Sequence, residues 1–199
     1  MQQATKQFSS ATSRKTAWDE SVEELISQLA VPKGTVGILY TSEDLAPFLK
    51  KMLEQLRFKT GVADWACASG YGTISHTEEI FGESSATVIV LDLPPDACKV
   101  FSGNADVGTL FSGKEAEWLT EATMPLAISH VDPRHTDAMD AISNLVETTG
   151  SFLIGGLTVA SSDSPHLVNA EKACISGIAV SPMKAEIFTG LSQGCSPIS

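Results

Sequence analysis

The chain says one thing twice: Leu91-Asp92-Leu93-Pro94-Pro95 followed by Val100-Phe101-Ser102-Gly103 returns as Ile178-Ala179-Val180-Ser181-Pro182 followed by Ile187-Phe188-Thr189-Gly190. The match extends backwards. An apolar run at 36–40, a helix-like stretch and Gly61-Val62-Ala63-Asp64-Trp65-Ala66-Cys67-Ala68-Ser69 have their counterparts in 125–131, a second helix-like stretch and 151–161. The offset of about 90 residues is too long for a solenoid repeat of ~20–50 residues, so each copy is a whole supersecondary assembly. Two such assemblies are expected to pack about a pseudo-twofold axis.

Hydrophobic periodicity supplies the elements. At 18–29, Val22, Leu25, Ile26 and Leu29 share one face, and Asp19, Glu20, Glu23 and Glu24 favour the helix N-terminal end. Gly37-Ile38-Leu39-Tyr40 reads as a buried strand, and Ser42 with Asp44 as the cap of a helix through Leu56. The nearly unbroken apolar run 61–68 reads as a central strand opening into the small-residue turn Ser69-Gly70-Tyr71-Gly72. Strands at 87–93 and 97–103 are read as joined hairpin-like through Pro94-Pro95, and 103–123 as a surface linker, helix-like around Glu115 to Leu119. In the second copy Thr136 or Asp137 caps a helix ended by Gly150, and strands follow at 152–158, 175–180 and 186–191.

These elements predict an α/β (mixed α+β) fold of two pseudo-twofold-related βαβββ halves, about 34–110 and 124–199, with a leading helix. Their mixed sheets are covered by helices, as a three-layer sheet or an αββα stack. Residues 1–16, Ser/Thr-rich with only basic charges, read as a flexible polar leader before a domain over 17–199; Arg is too sparse there for a mitochondrial presequence.

A net charge of −11 with no Lys/Arg cluster repels polyphosphate, so nucleic acid and anionic membrane surfaces are poor partners. The longest apolar runs fall far short of the ~20 residues of a membrane helix, and a soluble cytoplasmic protein is expected. Cys67, Cys98, Cys174 and Cys195 stand singly, without zinc spacing or a disulfide framework. Gly113-Lys114 sits in no phosphate-loop motif, which sets nucleotide hydrolysis aside.

The runs Ile154-Gly155-Gly156-Leu157-Thr158-Val159-Ala160-Ser161, Ser176-Gly177-Ile178-Ala179-Val180 and Leu191-Ser192-Gln193-Gly194-Cys195-Ser196-Pro197-Ile198 resemble the N-terminal FIST domain, over nearly the whole chain from about Phe8. The Ser-Gln-Gly-Cys-x-Pro-Ile run is the most specific part. At the first-half strand end, where the family carries Gly-Cys-Ser-x-x-Gly, this chain keeps Cys67, Ser69 and Gly72 approximately but not the first glycine.

The resemblance implies a sensory input domain of bacterial signal transduction that binds small ligands such as amino acids or related metabolites, with no chemistry of its own. It further implies a C-terminal FIST domain as the usual neighbour. The output partner it implies is a signalling protein such as a histidine kinase, a cyclic-dinucleotide enzyme or a chemoreceptor, and a second copy of the chain is a further candidate partner. The chain stops right after the N-domain motif, which points to an excised domain or a truncated product.

Small-residue turns at strand ends let a backbone approach a ligand and present N–H groups to it. Ser69 and Gly70 in the first copy, and Gly155, Gly156 and Ser161 in the second, are the matched candidates; tight turns that merely let the halves pack are the plainer reading. Gln193, Gly194 and Cys195 offer an amide, a close backbone and a thiol, although a packed cysteine is the default there and at Cys67. Asp64, inside an apolar strand, is read either as holding a ligand amine or as paired in the core, and Asp92 is similarly ambiguous. No cofactor is expected. The alternative of a haem-based nitric oxide sensor, implied by some relatives, needs an axial histidine from His76, His130, His135 or His166, none of which has pairwise ligand spacing. A thiol-dependent enzyme built on Cys195 and an interaction scaffold are weaker alternatives.

Overall fold

The structure, a computed structural model, describes residues 8–30, 34–103, 111, 114–159 and 173–190. The first half runs β1 (Phe8–Ser13), α1 (Trp18–Gln28), β2 (Val36–Ser42), a 3-10 helix (Glu43–Phe48), α2 (Leu49–Thr60), β3 (Asp64–Gly70), the short strands β4 (Gly72–Ile74) and β5 (Glu79–Phe81), and β6 (Ala86–Leu91). The second runs β7 (Cys98–Gly103), α3 (Lys114–Ala122), β8 (Leu126–Val131), α4 (Ala138–Thr149), β9 (Phe152–Leu157) and β10 (Ile175–Val180).

The strands form two sheets with the same plan, β1-β6-β2-β3 and β7-β10-β8-β9, and β4 pairs with β5 as a separate ribbon. In each four-stranded sheet the two helix-linked strands are parallel and the other pairings antiparallel. Val36 stands opposite Asp64 and Leu91, and Leu126 opposite Phe152 and Val180, so the registers superpose the halves residue by residue. The duplication is therefore real in three dimensions.

Alternation along the strands sorts the core into layers. Leu39, Trp65, Cys67 and Val88 face one way and pack under α1 and α2 with Val22, Leu25, Leu53 and Leu56. Val131, Ile175 and Ala179 pack under α3 and α4 with Trp118, Ala141 and Leu145. Val36, Ile38 and Ala66 from one sheet meet Ile178 and Val180 from the other. The stack is αββα. Trp65 is wholly buried, its indole N–H donating to the Val62 carbonyl at 2.8 Å, and it fits because Gly37 opposite has no Cβ, which would lie 2.5 Å from the ring. Gly61 and Gly150 end the two equivalent helices in the left-handed conformation that glycine adopts freely.

Several expectations change. The polar leader becomes, from Phe8 onward, edge strand β1, paired with β6 and burying Ala11 against α1. The strands around Pro94-Pro95 form no hairpin. The Pro94 carbonyl accepts a turn bond from Ala97, Asp96 turns left-handed, and the chain crosses to the other sheet, where β7 pairs with β10. Proline has no N–H to donate, which favours leaving the sheet at that point. The expected surface linker contains α3, whose Trp118 is core and donates to the Asp96 carbonyl at 2.7 Å. Residues 186–190 are not a strand, and Leu191 lies outside the described residues. The repeat unit is thus β-α-β-α-β-β, about 8–91 and 98–180.

The halves differ in cover. Ala66 on β3 is 1% exposed, whereas Ile154, its counterpart on β9, is 41% exposed, as are Phe152 and Leu157 nearby in larger part.

Candidate functional site

The parallel pairs β2-β3 and β8-β9 end side by side at the pseudo-axis, where a cavity of about 310 Å³ opens. Tyr40 and His130 form its floor. Ala68, Ser69 and Gly70 line it from β3, Gly72, Thr73 and Ile74 from β4, and Gly155 to Thr158 from β9 and the residue after it. None of these lining side chains is charged.

Tyr40 and His130 occupy the same place in the two halves, 90 residues apart, and they touch. The Tyr40 hydroxyl lies 2.8 Å from His130 Nε2, and the rings meet edge-on at 5.2 Å and 77°. Burial holds the imidazole neutral by lowering its pKa to about 4. It also keeps the phenol protonated, with its pKa raised to about 12 by burial first and by Cys67 second. A neutral phenol beside a neutral imidazole makes a hydrogen bond between the sheets without a buried charge. Nδ1 of His130, in a side chain only 5% exposed, has no partner among the described residues.

The rim is a second contact between halves. Ser69 Oγ donates to the Val159 carbonyl at 2.8 Å, and the Val159 N–H returns to the Ser69 carbonyl at 3.1 Å. Gly155 has φ of +143°, and a Cβ there would lie 1.8 Å from the Ser129 carbonyl oxygen, so only glycine fits. At Gly156 a Cβ would meet nothing within 4 Å. Its counterpart Ala68 stands beside Tyr40 as Gly156 stands beside His130, and the missing methyl leaves open space.

Of the candidate residues, Ser69, Gly70, Gly155 and Gly156 meet at this cavity. Cys67 does not: it faces α2 from the other side of β3, and burial pushes its thiol up to about 12. Asp64 is not a core carboxylate but an exposed residue at the start of β3, the end remote from the cavity, because the strand begins there instead of at Gly61. Asp92 lies just past the end of β6. Ser161, Gln193, Gly194, Cys195 and His166 lie outside the described residues. Sequence reasoning missed Tyr40 and Thr73, and weighed His130 only as a haem ligand. The offset of the repeat aligns Tyr40 with His130, and that alignment of two polar rings was the available signal.

Three of the four histidines weighed as haem ligands lie among the described residues. His76 is exposed and lies 3.2 Å from Ser10 Oγ, His135 accepts from the Asp137 N–H through Nδ1, and His130 Nε2 is taken by Tyr40. No group of three or more His, Cys, Asp or Glu side chains among the described residues is placed to hold a metal ion. Burial also raises the pKa of Cys98, to about 11, and that of Cys174, so neither is an activated thiol.

The chain is built of two repeats that meet at a cavity lined by uncharged side chains. It belongs to the FIST N domain family, whose model matches residues 35–199, and that family is one of sensory domains in signal transduction. No curated protein matches the chain. No described helix is long and apolar enough to cross a membrane.

Proposed function

We propose that this chain is a ligand-binding input domain that takes a small polar metabolite, of the amino-acid class, into the cavity between its two sheets. The observation that carries the reading is the cavity itself, floored by a contact between equivalent residues of the two halves. A volume of about 310 Å³ stands at the lower end of the 300–1,000 Å³ of small-molecule pockets, which suits a metabolite of amino-acid size. The raised thiol of Cys67, buried away from the cavity, disfavours thiol chemistry there.

In this reading the ligand shifts the packing of the halves between two arrangements. A C-terminal FIST domain, and through it a cytoplasmic signalling protein such as a histidine kinase or a cyclic-dinucleotide enzyme, responds to the change.

The test is a thermal-shift and calorimetric screen of free amino acids against the chain and its Gly156→Leu variant. A Cβ at Gly156 meets nothing within 4 Å, so the variant is expected to melt like the parent. A ligand at 100 times its Kd raises the stability of the parent by about 2.7 kcal/mol, and the filled cavity is expected to abolish that gain. Equal binding by both proteins contradicts the placement.

A further inference from the structure

Four buried polar atoms that have no partner among the described residues lie in or beside the cavity: Thr73 Oγ1, Thr87 Oγ1, His130 Nδ1 and Ser176 Oγ. Thr73 and His130 line it. Thr87 stands in register beside Tyr40, and Ser176 beside His130. By the alternation that puts Ile89 and Ile178 between the sheets, Thr87 and Ser176 are on that same inner face. They are also equivalent residues of the two halves, so hydroxyls flank the Tyr40–His130 bond from both sides. Directly opposed side chains on one face have Cβ atoms ~4.5–5.5 Å apart, which sets Thr87 close beside Tyr40 and Ser176 close beside His130.

Buried hydroxyls without partners oppose folding, and native proteins keep few of them. Their gathering around one cavity asks for an occupant. The charge of that occupant follows from the surroundings: no lining side chain carries a counter-charge, and a bare carboxylate or ammonium there would be desolvated without compensation. A wholly apolar group would leave all four atoms unmet. What remains is an uncharged group that both donates and accepts, such as a carboxamide or a hydroxyl.

We infer that Thr73, Thr87, His130 and Ser176 form a head-group subsite that selects ligands by an uncharged hydrogen-bonding side chain. Within the amino-acid reading, on which this rests, the class is the amides and hydroxy amino acids. The charged α-groups stay at the strand ends at the mouth. All four atoms are closed to bulk water, so a head group reaches them only by displacing the side chains that cover them.

The experiment compares the whole chain with Thr73→Val, Thr87→Val and Ser176→Ala by melting temperature, alone and with each of glutamine, asparagine, serine, threonine, glutamate, aspartate, lysine and leucine. Without ligand the variants are expected to melt at or up to about 2–4 °C above the parent, because an unmet hydroxyl is removed. With ligand, one or more of the amide and hydroxy amino acids is expected to stabilise the parent, and that shift is lost in the variants. Loss of several degrees in all three ligand-free variants would show the hydroxyls to be structural and overturn the subsite. Stabilisation by glutamate, aspartate, lysine or leucine equal to that by the neutral polar set overturns it as well. Silence from the whole panel contradicts the amino-acid reading; the ligand-free melting temperatures then decide the subsite separately.

Discussion

At the scale of single residues, His130 carries a consequence for pH. Its imidazole titrates at about 4 in the folded protein against 6.5 for an ordinary histidine, because burial disfavours the cation. The folded-state pKa is the lower of the two. Above pH 6.5 both states are neutral and this residue adds no pH dependence. As pH falls from 6.5 towards 4 the unfolded chain takes up the proton first, and stability is lost by up to about 3 kcal/mol at 1.36 kcal/mol per pKa unit. Denaturant unfolding of the parent and of His130→Gln across pH 4–7 checks this. The difference between the two stabilities is expected to slope through that window, and a flat difference means that the imidazole titrates normally. The sequence made Ser69, Gly70, Gly155 and Gly156 legible, because small residues at strand ends are visible in one dimension. Thr87 and Ser176 were not, since an isolated hydroxyl acquires meaning only from its neighbour on the next strand.

At the scale of elements, the repeat was legible but its phase was not. Sequence similarity linked β6 to β7 through Pro94-Pro95, whereas hydrogen bonding divides them between two sheets. A hairpin and a crossover look alike when both are two apolar runs around a turn. Edge strand β1 was hidden by its Ser/Thr composition: it pairs on one side only and contributes a single buried apolar side chain, Ala11. Its weight shows in what it covers. β1 caps the antiparallel edge of β6 and packs under α1, with Gln28 clasping the Thr12 backbone through both its amide atoms, at 3.1 and 2.7 Å. Removal of residues 1–13 is therefore expected to expose the β6 edge, lower the melting temperature and promote association through that edge, read by light scattering during a thermal ramp. A truncated chain that melts with the parent and scatters no more light than the parent would contradict this role for β1.

At the scale of the whole molecule, the two sheets are joined by an apolar layer and, at one end, by polar contacts that pair equivalent or nearly equivalent positions. Tyr40 with His130 and Ser69 with Val159 are the bonds that a change in packing must break or keep. A cavity between them is placed so that an occupant would touch both halves at once, which is how the proposed ligand would shift their packing. The measurement closest to that claim is a two-dimensional amide NMR titration of the chain with the amino acid that most raises its melting temperature, with the imidazole nitrogens of His130 followed in parallel. The account expects the largest shifts at Tyr40, residues 68–74, His130 and residues 155–158, from both halves together, with the Nδ1 resonance moving as well. Shifts confined to one half, or centred under α4 with His130 unmoved, would contradict it.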